Sequence, residues 1–73
     1  MKFYIVKKLI GDTNIEYYYT GIDDEDIEFS TEKSDAETFD SLDKCWVKYE
    51  LKRGKLTEKN NTQYYLIIDS MEG

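Results

Sequence analysis

Two stretches of this sequence are apolar whichever alternate residue is counted. In 3–10, Phe3, Ile5 and Leu9 would fall on one face of an extended chain and Tyr4, Val6 and Ile10 on the other; 64–68 reads Tyr-Tyr-Leu-Ile-Ile. Successive side chains of a strand point to opposite faces, so a strand apolar on both needs cover on both. A chain of 73 residues has room for one hydrophobic core. Both segments are therefore expected as adjacent, central strands of one sheet, in a single domain covering 1–73.

The rest of the pattern follows from punctuation. Gly11-Asp12-Thr13-Asn14 consists of turn formers, so Lys2–Ile10 and Ile15–Thr20 read as an antiparallel hairpin. Gly21 ends the second strand. The acidic run that follows reads as a loop, and Ile27–Ser30 as a short third strand with Ile27 and Phe29 inward. Asp40 or Ser41 is placed to cap a helix over about 41–53, with Asp43 near its positive end, Lys52 and Arg53 in its last turn and Gly54 as its stop. Leu42, Cys45, Trp46 and Tyr49 form its apolar stripe, with Trp46 as the main core anchor and Cys45 as a small core hydrophobe. A strand is the competing reading, because Cys45, Val47, Tyr49 and Leu51 also alternate; the cap and stop signals fit only the helix. Lys55–Thr62 reads as a polar loop and Gln63–Asp69 as the last strand. The expected class is α+β: a two-layer domain with a three-stranded antiparallel meander, one helix and a final strand, in the order 3-2-1-4. A helix crossing back from the third strand would leave the last strand parallel to the first.

Charge is distributed unevenly. Residues 1–10 hold three lysines and no acid, residues 11–40 hold eleven acids and one lysine, and the chain as a whole carries 16 Asp and Glu against 10 Lys and Arg. The net charge of -6 argues against nucleic acid or an anionic membrane as a direct partner and favours solubility, or a basic protein as partner. No apolar run approaches a membrane span, the first residues do not read as a signal peptide, and a single cysteine gives no internal disulfide; the cytoplasm is the expected location. The chain has no His and one Cys, which excludes a zinc site or a Cys–His nucleophile built within it. Without a triad, a metal cluster or a phosphate loop, it reads as a non-enzyme needing no cofactor.

Two sets of residues remain as candidate binding surfaces. Asp23, Asp24, Glu25, Asp26 and Glu28 form the first. Their spacing lacks the alternating ligands and turn glycine of a calcium loop, which leaves a solvated acidic loop or a docking face for a basic partner. The second set is aromatic and apolar. Tyr18 and Tyr65, with Tyr4 as a further member, are expected on the sheet face away from the helix. There they pair across strands or present a protein-binding surface; base stacking is opposed by the net charge. Val47 and Leu51 lie on the opposite side of the helix from its stripe, either packed under the 55–62 loop or forming a homodimer seam. Lys44, Lys48 and Lys52 line the helix as a solvated basic face, or as a contact for the acidic loop of a second copy.

Phe29-Ser30 followed by Ala36, Phe39, Ser41 and Cys45 (a position where Ala is more usual) resembles short proteins of phages, prophages and mobile elements of Gram-positive bacteria, over residues 3–50. The resemblance implies a small accessory protein of a mobile element and carries over no catalytic residue. The resulting expectation is an acidic protein that binds a host protein, as an inhibitor or nucleic-acid mimic. The alternative is a self-associating structural or interaction domain without a nucleic-acid-binding target.

Overall fold

The computed structural model describes residues 1–59 and 63–71. Four strands, β1 (Lys2–Leu9), β2 (Asp12–Tyr19), β3 (Phe29–Ser30) and β4 (Tyr64–Met71), form one antiparallel sheet in the order β3-β2-β1-β4. Among the described residues there is one α-helix, α1 (Leu42–Glu58), and it packs on one face. The α+β class and the strand order agree with the sequence reading.

Side-chain alternation divides the sheet as expected. Ile5, Tyr19, Leu66 and the helix residue Cys45 make the buried core, with Phe3, Phe29, Phe39, Tyr49, Leu56 and Ile68 packed around it. The β1–β2 hairpin closes more tightly than expected. Leu9 pairs with Asp12, so Ile10 and Gly11 form the turn. Gly11 supplies a φ of 98°, a left-handed conformation costly for any residue with a Cβ. The register slips between Lys8 and Leu9, and this bulge absorbs the remaining residues that read as turn.

β4 runs antiparallel to β1, with Lys2 opposite Met71 and Leu9 opposite Tyr64, which corrects the parallel expectation. The cause is the shortness of β3. It has two residues, and Ile27 lies outside it, exposed. The amide of Ile27 bonds the Asp24 carbonyl, while that of Asp26 bonds the Asp24 carboxylate; this turn holds the segment out of the sheet. After β3 the chain reverses through a short 3-10 turn at Lys33–Asp35. It then passes along the end of the sheet, with the Glu37 amide on the Tyr19 carbonyl and Phe39 exchanging backbone bonds with Phe3. The helix thus begins at the end of the sheet where β1 begins. It extends ~25 Å and delivers the chain to the opposite end, from which β4 returns.

Ser41 caps the helix by accepting from the Lys44 amide at 3.2 Å. The helix does not stop at Gly54. It continues to Glu58, so residues 55–58 are helical and not loop, while 60–62 lie outside the described residues. A glycine inside a helix costs about 1 kcal/mol. The packing of the partly buried Leu56 against the core and a salt bridge from Lys59 beyond it favour the extension.

The inward face of the helix also differs from expectation. Trp46 is 52% exposed and Leu42 50%. The residues turned inward are Cys45, Tyr49, Lys52 and Leu56, spaced i, i+4, i+7, i+11. Trp46 stands at the flank, stacked on Tyr49 with ring centres 5.3 Å apart.

Candidate protein-binding surfaces

The acidic segment is bound by the chain's own helix. Lys52, only 3% exposed, reaches Asp23 Oδ1 at 2.6 Å and Glu28 Oε1 at 3.0 Å. Lys48 stands 3.8 Å from Asp23, and Lys59 pairs with Glu25 at 2.6 Å. Tyr19, in the core, donates its hydroxyl to Asp23 at 2.9 Å. Burial alone would lower the pKa of the Lys52 ammonium, but the hydrogen bonds it donates to Asp23 and Glu28 outweigh that and hold the group above its ordinary value. The same contacts, Lys52 first and then Tyr19, bring the Asp23 carboxyl down to about 2. Of the five acids singled out in sequence, Asp23, Glu25 and Glu28 are thus paired within the fold. Asp24 and Asp26 are exposed, the Asp24 carboxylate accepting the Asp26 amide, and neither makes an ion pair among the described residues. Of the basic line on the helix, Lys48 and Lys52 meet the acidic loop of their own chain, so the fold itself uses part of that acidic charge.

Beside this clamp, Lys7 enters an aromatic cage that sequence reasoning missed. Its Nζ lies 4.3 Å from the Phe29 ring centre, 4.8 Å from Tyr64 and 5.2 Å from Tyr17. Burial lowers its pKa, and the ring faces offset part of the lost hydration. A cavity of about 200 Å³ opens next to it, lined by Lys7, Lys55, Lys59, Glu25 and Glu28 among others. Lysines and glutamates share its wall.

On the face away from the helix lie Tyr4, Val6, Tyr18, Tyr65 and Ile67, as the register requires. This face is not bare. Tyr4 is 3% exposed and Val6 1%. Lys33 lies over the Tyr4 ring at 5.4 Å, Tyr18 packs on Tyr4 at 6.0 Å, and the Tyr4 hydroxyl reaches Asp69. Tyr18 donates its own hydroxyl to Glu16 at 2.8 Å, and that bond pushes its pKa up to about 12. Tyr65 remains 37% exposed. On the back of the helix Val47 and Leu51 are 63% and 58% exposed, and no described residue covers them. Cys45 is fully buried, and burial pushes its thiol up to about 11, the opposite of what a nucleophile requires.

The remaining surface is the outer edge of β4. The two apolar faces of this strand suggest a central place, but the order 3-2-1-4, read from the sequence and found in the structure, sets it beside β1 at the sheet margin. In an antiparallel ladder residues alternate between facing the partner and facing away. Phe3 uses its amide and carbonyl on Phe39, away from β4, so its pairing partner Ser70 faces outward too. By the same alternation Ile68, Leu66 and Tyr64 present their amides and carbonyls at the margin. Two local contacts occupy part of this edge. The Tyr49 hydroxyl donates to the Leu66 carbonyl at 3.2 Å, and the Asp69 carboxylate takes the Ser70 amide at 2.8 Å. Alongside runs a groove of about 240 Å³ lined by Phe3, Leu42, Trp46, Ile68, Asp69 and Ser70.

No family model, curated protein or solved structure matches this chain. Among the described residues no group of three or more acids or cysteines is placed to hold a metal ion, and no helix is long and apolar enough to cross a membrane.

Proposed function

We propose that the chain is a small non-catalytic domain that binds protein by adding an extended strand of another polypeptide to the outer edge of β4. The observation that carries this reading is the position of β4: a strand of eight residues, apolar on both faces, lies at a sheet margin beside the exposed ring of Trp46. Margins of this kind are usually short, charged or covered. Strand addition supplies main-chain hydrogen bonds, and the groove beside Trp46 takes a side chain of the incoming strand.

Binding of a basic host protein through the acidic segment is the second reading, favoured by the exposed Asp24 and Asp26. Mobile-element accessory proteins, the group the sequence resembles, fit either mode. The two separate on one set of variants. Tyr65→Lys and Trp46→Ala are expected to abolish partner binding by the immobilised protein, while the double substitution Asp24→Asn with Asp26→Asn leaves it unchanged. The reverse pattern overturns the edge in favour of the acidic loop.

A further inference from the structure

We infer that the strand received by β4 is β4 of a second copy, paired antiparallel about a two-fold axis at Ile67; this rests on the edge reading above. The sequence of the edge favours the axis at Ile67 over those further along the strand. With Ile67 on the axis, the outward-facing Leu66 meets Ile68 of the second copy, and Ile68 meets its Leu66; these pairs exchange N–H···O bonds in both directions. The Leu66 carbonyl that accepts from Tyr49 has a second lone pair for this bond.

On the face away from the helices, Ile67 packs on its own symmetry mate, and Asp69 falls opposite Tyr65, a carboxylate beside a phenol. Moving the axis to Ile68 sets Asp69 against Ile67, and moving it to Asp69 sets two carboxylates against each other, a repulsive pairing. The register centred on Ile67 also engages 64–70 throughout. Because the axis stands perpendicular to the joined sheet, both helices lie on one face. Their Leu42 and Trp46 sides, which flank the β4 edge, are turned towards each other. The pairing removes the unpaired margin of β4 and brings Ile67 of each copy against the other on the open face.

The test uses the purified full chain. Sedimentation equilibrium is expected to show a dimer, and the emission of the parent's only tryptophan, Trp46, is expected to shift to shorter wavelength as concentration rises. In the proposed register residue 67 faces its own mate at ~4.5 Å between Cα atoms, within reach of a disulfide. Ile67→Cys should therefore cross-link under mild oxidation. Tyr65→Cys and Asp69→Cys should each fail alone and cross-link when mixed. Ile67→Lys should yield a monomer with the parental circular dichroism spectrum. A parent that stays monomeric at millimolar concentration overturns the inference, as does a dimer that cross-links through Val47→Cys and not through Ile67→Cys. If the monomer still loses a foreign partner on Tyr65→Lys, only the second copy is wrong. If partner binding ignores that substitution as well, the edge reading falls with it.

Discussion

Lys52 is buried against Asp23, an exposed acid in the loop between β2 and β3, at 2.6 Å. This contact joins the helix to the loop between β2 and β3 and turns part of an acidic run into a structural brace. Glu28 completes it from β3's flank. Substituting Glu28→Gln weakens one partner of a buried ammonium, and the expected loss is about 1–3 kcal/mol. Asp24→Asn with Asp26→Asn, at positions without an ion pair, should change stability by no more than about 0.5 kcal/mol. Urea denaturation of both variants checks the difference; equal effects would mean that Lys52 does not depend on the loop.

The brace also sets a pH dependence. The Asp23 carboxyl titrates near 2 in the fold, below the ~3.9 of an unfolded chain. Its contribution is complete above pH ~4 and disappears as pH falls through about 2, because the unfolded state takes up the proton first. Tyr19 acts at the other end of the scale. Burial, and then its bond to Asp23, push it up to about 12. Stability is therefore expected to decline between pH ~10, where an unfolded tyrosine ionises, and 12. Melting temperature against pH should show both limbs, and Asp23→Asn should flatten the acid one.

Gly54 tests the length of the helix. It lies inside α1, and a Cβ there would meet no atom within 4 Å. Gly54→Ala should stabilise the protein by about 0.5–1 kcal/mol. A glycine serving as a left-handed stop would respond in the opposite direction, and a thermal melt distinguishes the two.

Trp46 and Ile5 should behave as opposites. Ile5 is fully buried, so Ile5→Ala is expected to cost 2–5 kcal/mol, enough to unfold much of a domain this small. Trp46→Ala removes a half-exposed ring stacked on Tyr49, a contact worth about 0.5–1.5 kcal/mol. A native circular dichroism spectrum for the Trp46 variant alone would agree with its place at the edge of the groove; unfolding of that variant would return it to the core.

Strand existence, strand order and the division of Phe3, Ile5, Tyr17 and Tyr19 from Tyr4, Val6 and Tyr18 were legible because period-two alternation fixes faces once neighbours are known. Trp46 was misread because hydrophobicity alone does not say which edge of an apolar stripe turns inward. Cys45 and Tyr49 sit at its centre, with the buried Lys52 completing the turn. The lysine itself was invisible as a core residue, since a buried ammonium depends on partners distant in sequence. A signal did exist: Lys48, Lys52, Lys55 and Lys59 recur at i, i+4, i+7 and i+11, one basic helical face to match the run 23–28. The direction of β4 was lost because the length of β3 decides at which end the helix begins, and a turn made by Asp24, Asp26 and Ile27 shortened it. The doubly apolar character of β4 suggested a central strand, whereas the order of the strands sets it at the margin.

Amide hydrogen exchange at Leu66 and Ile68, followed against protein concentration, addresses the β4 edge directly. Both amides face outward, while those of Ile67 and Asp69 face β1. The account predicts that Leu66 and Ile68 exchange rapidly in dilute protein and become protected as concentration rises, with Ile67 and Asp69 protected throughout. Exchange at Leu66 and Ile68 that stays fast at every concentration, and stays fast when a captured partner is bound, would contradict it.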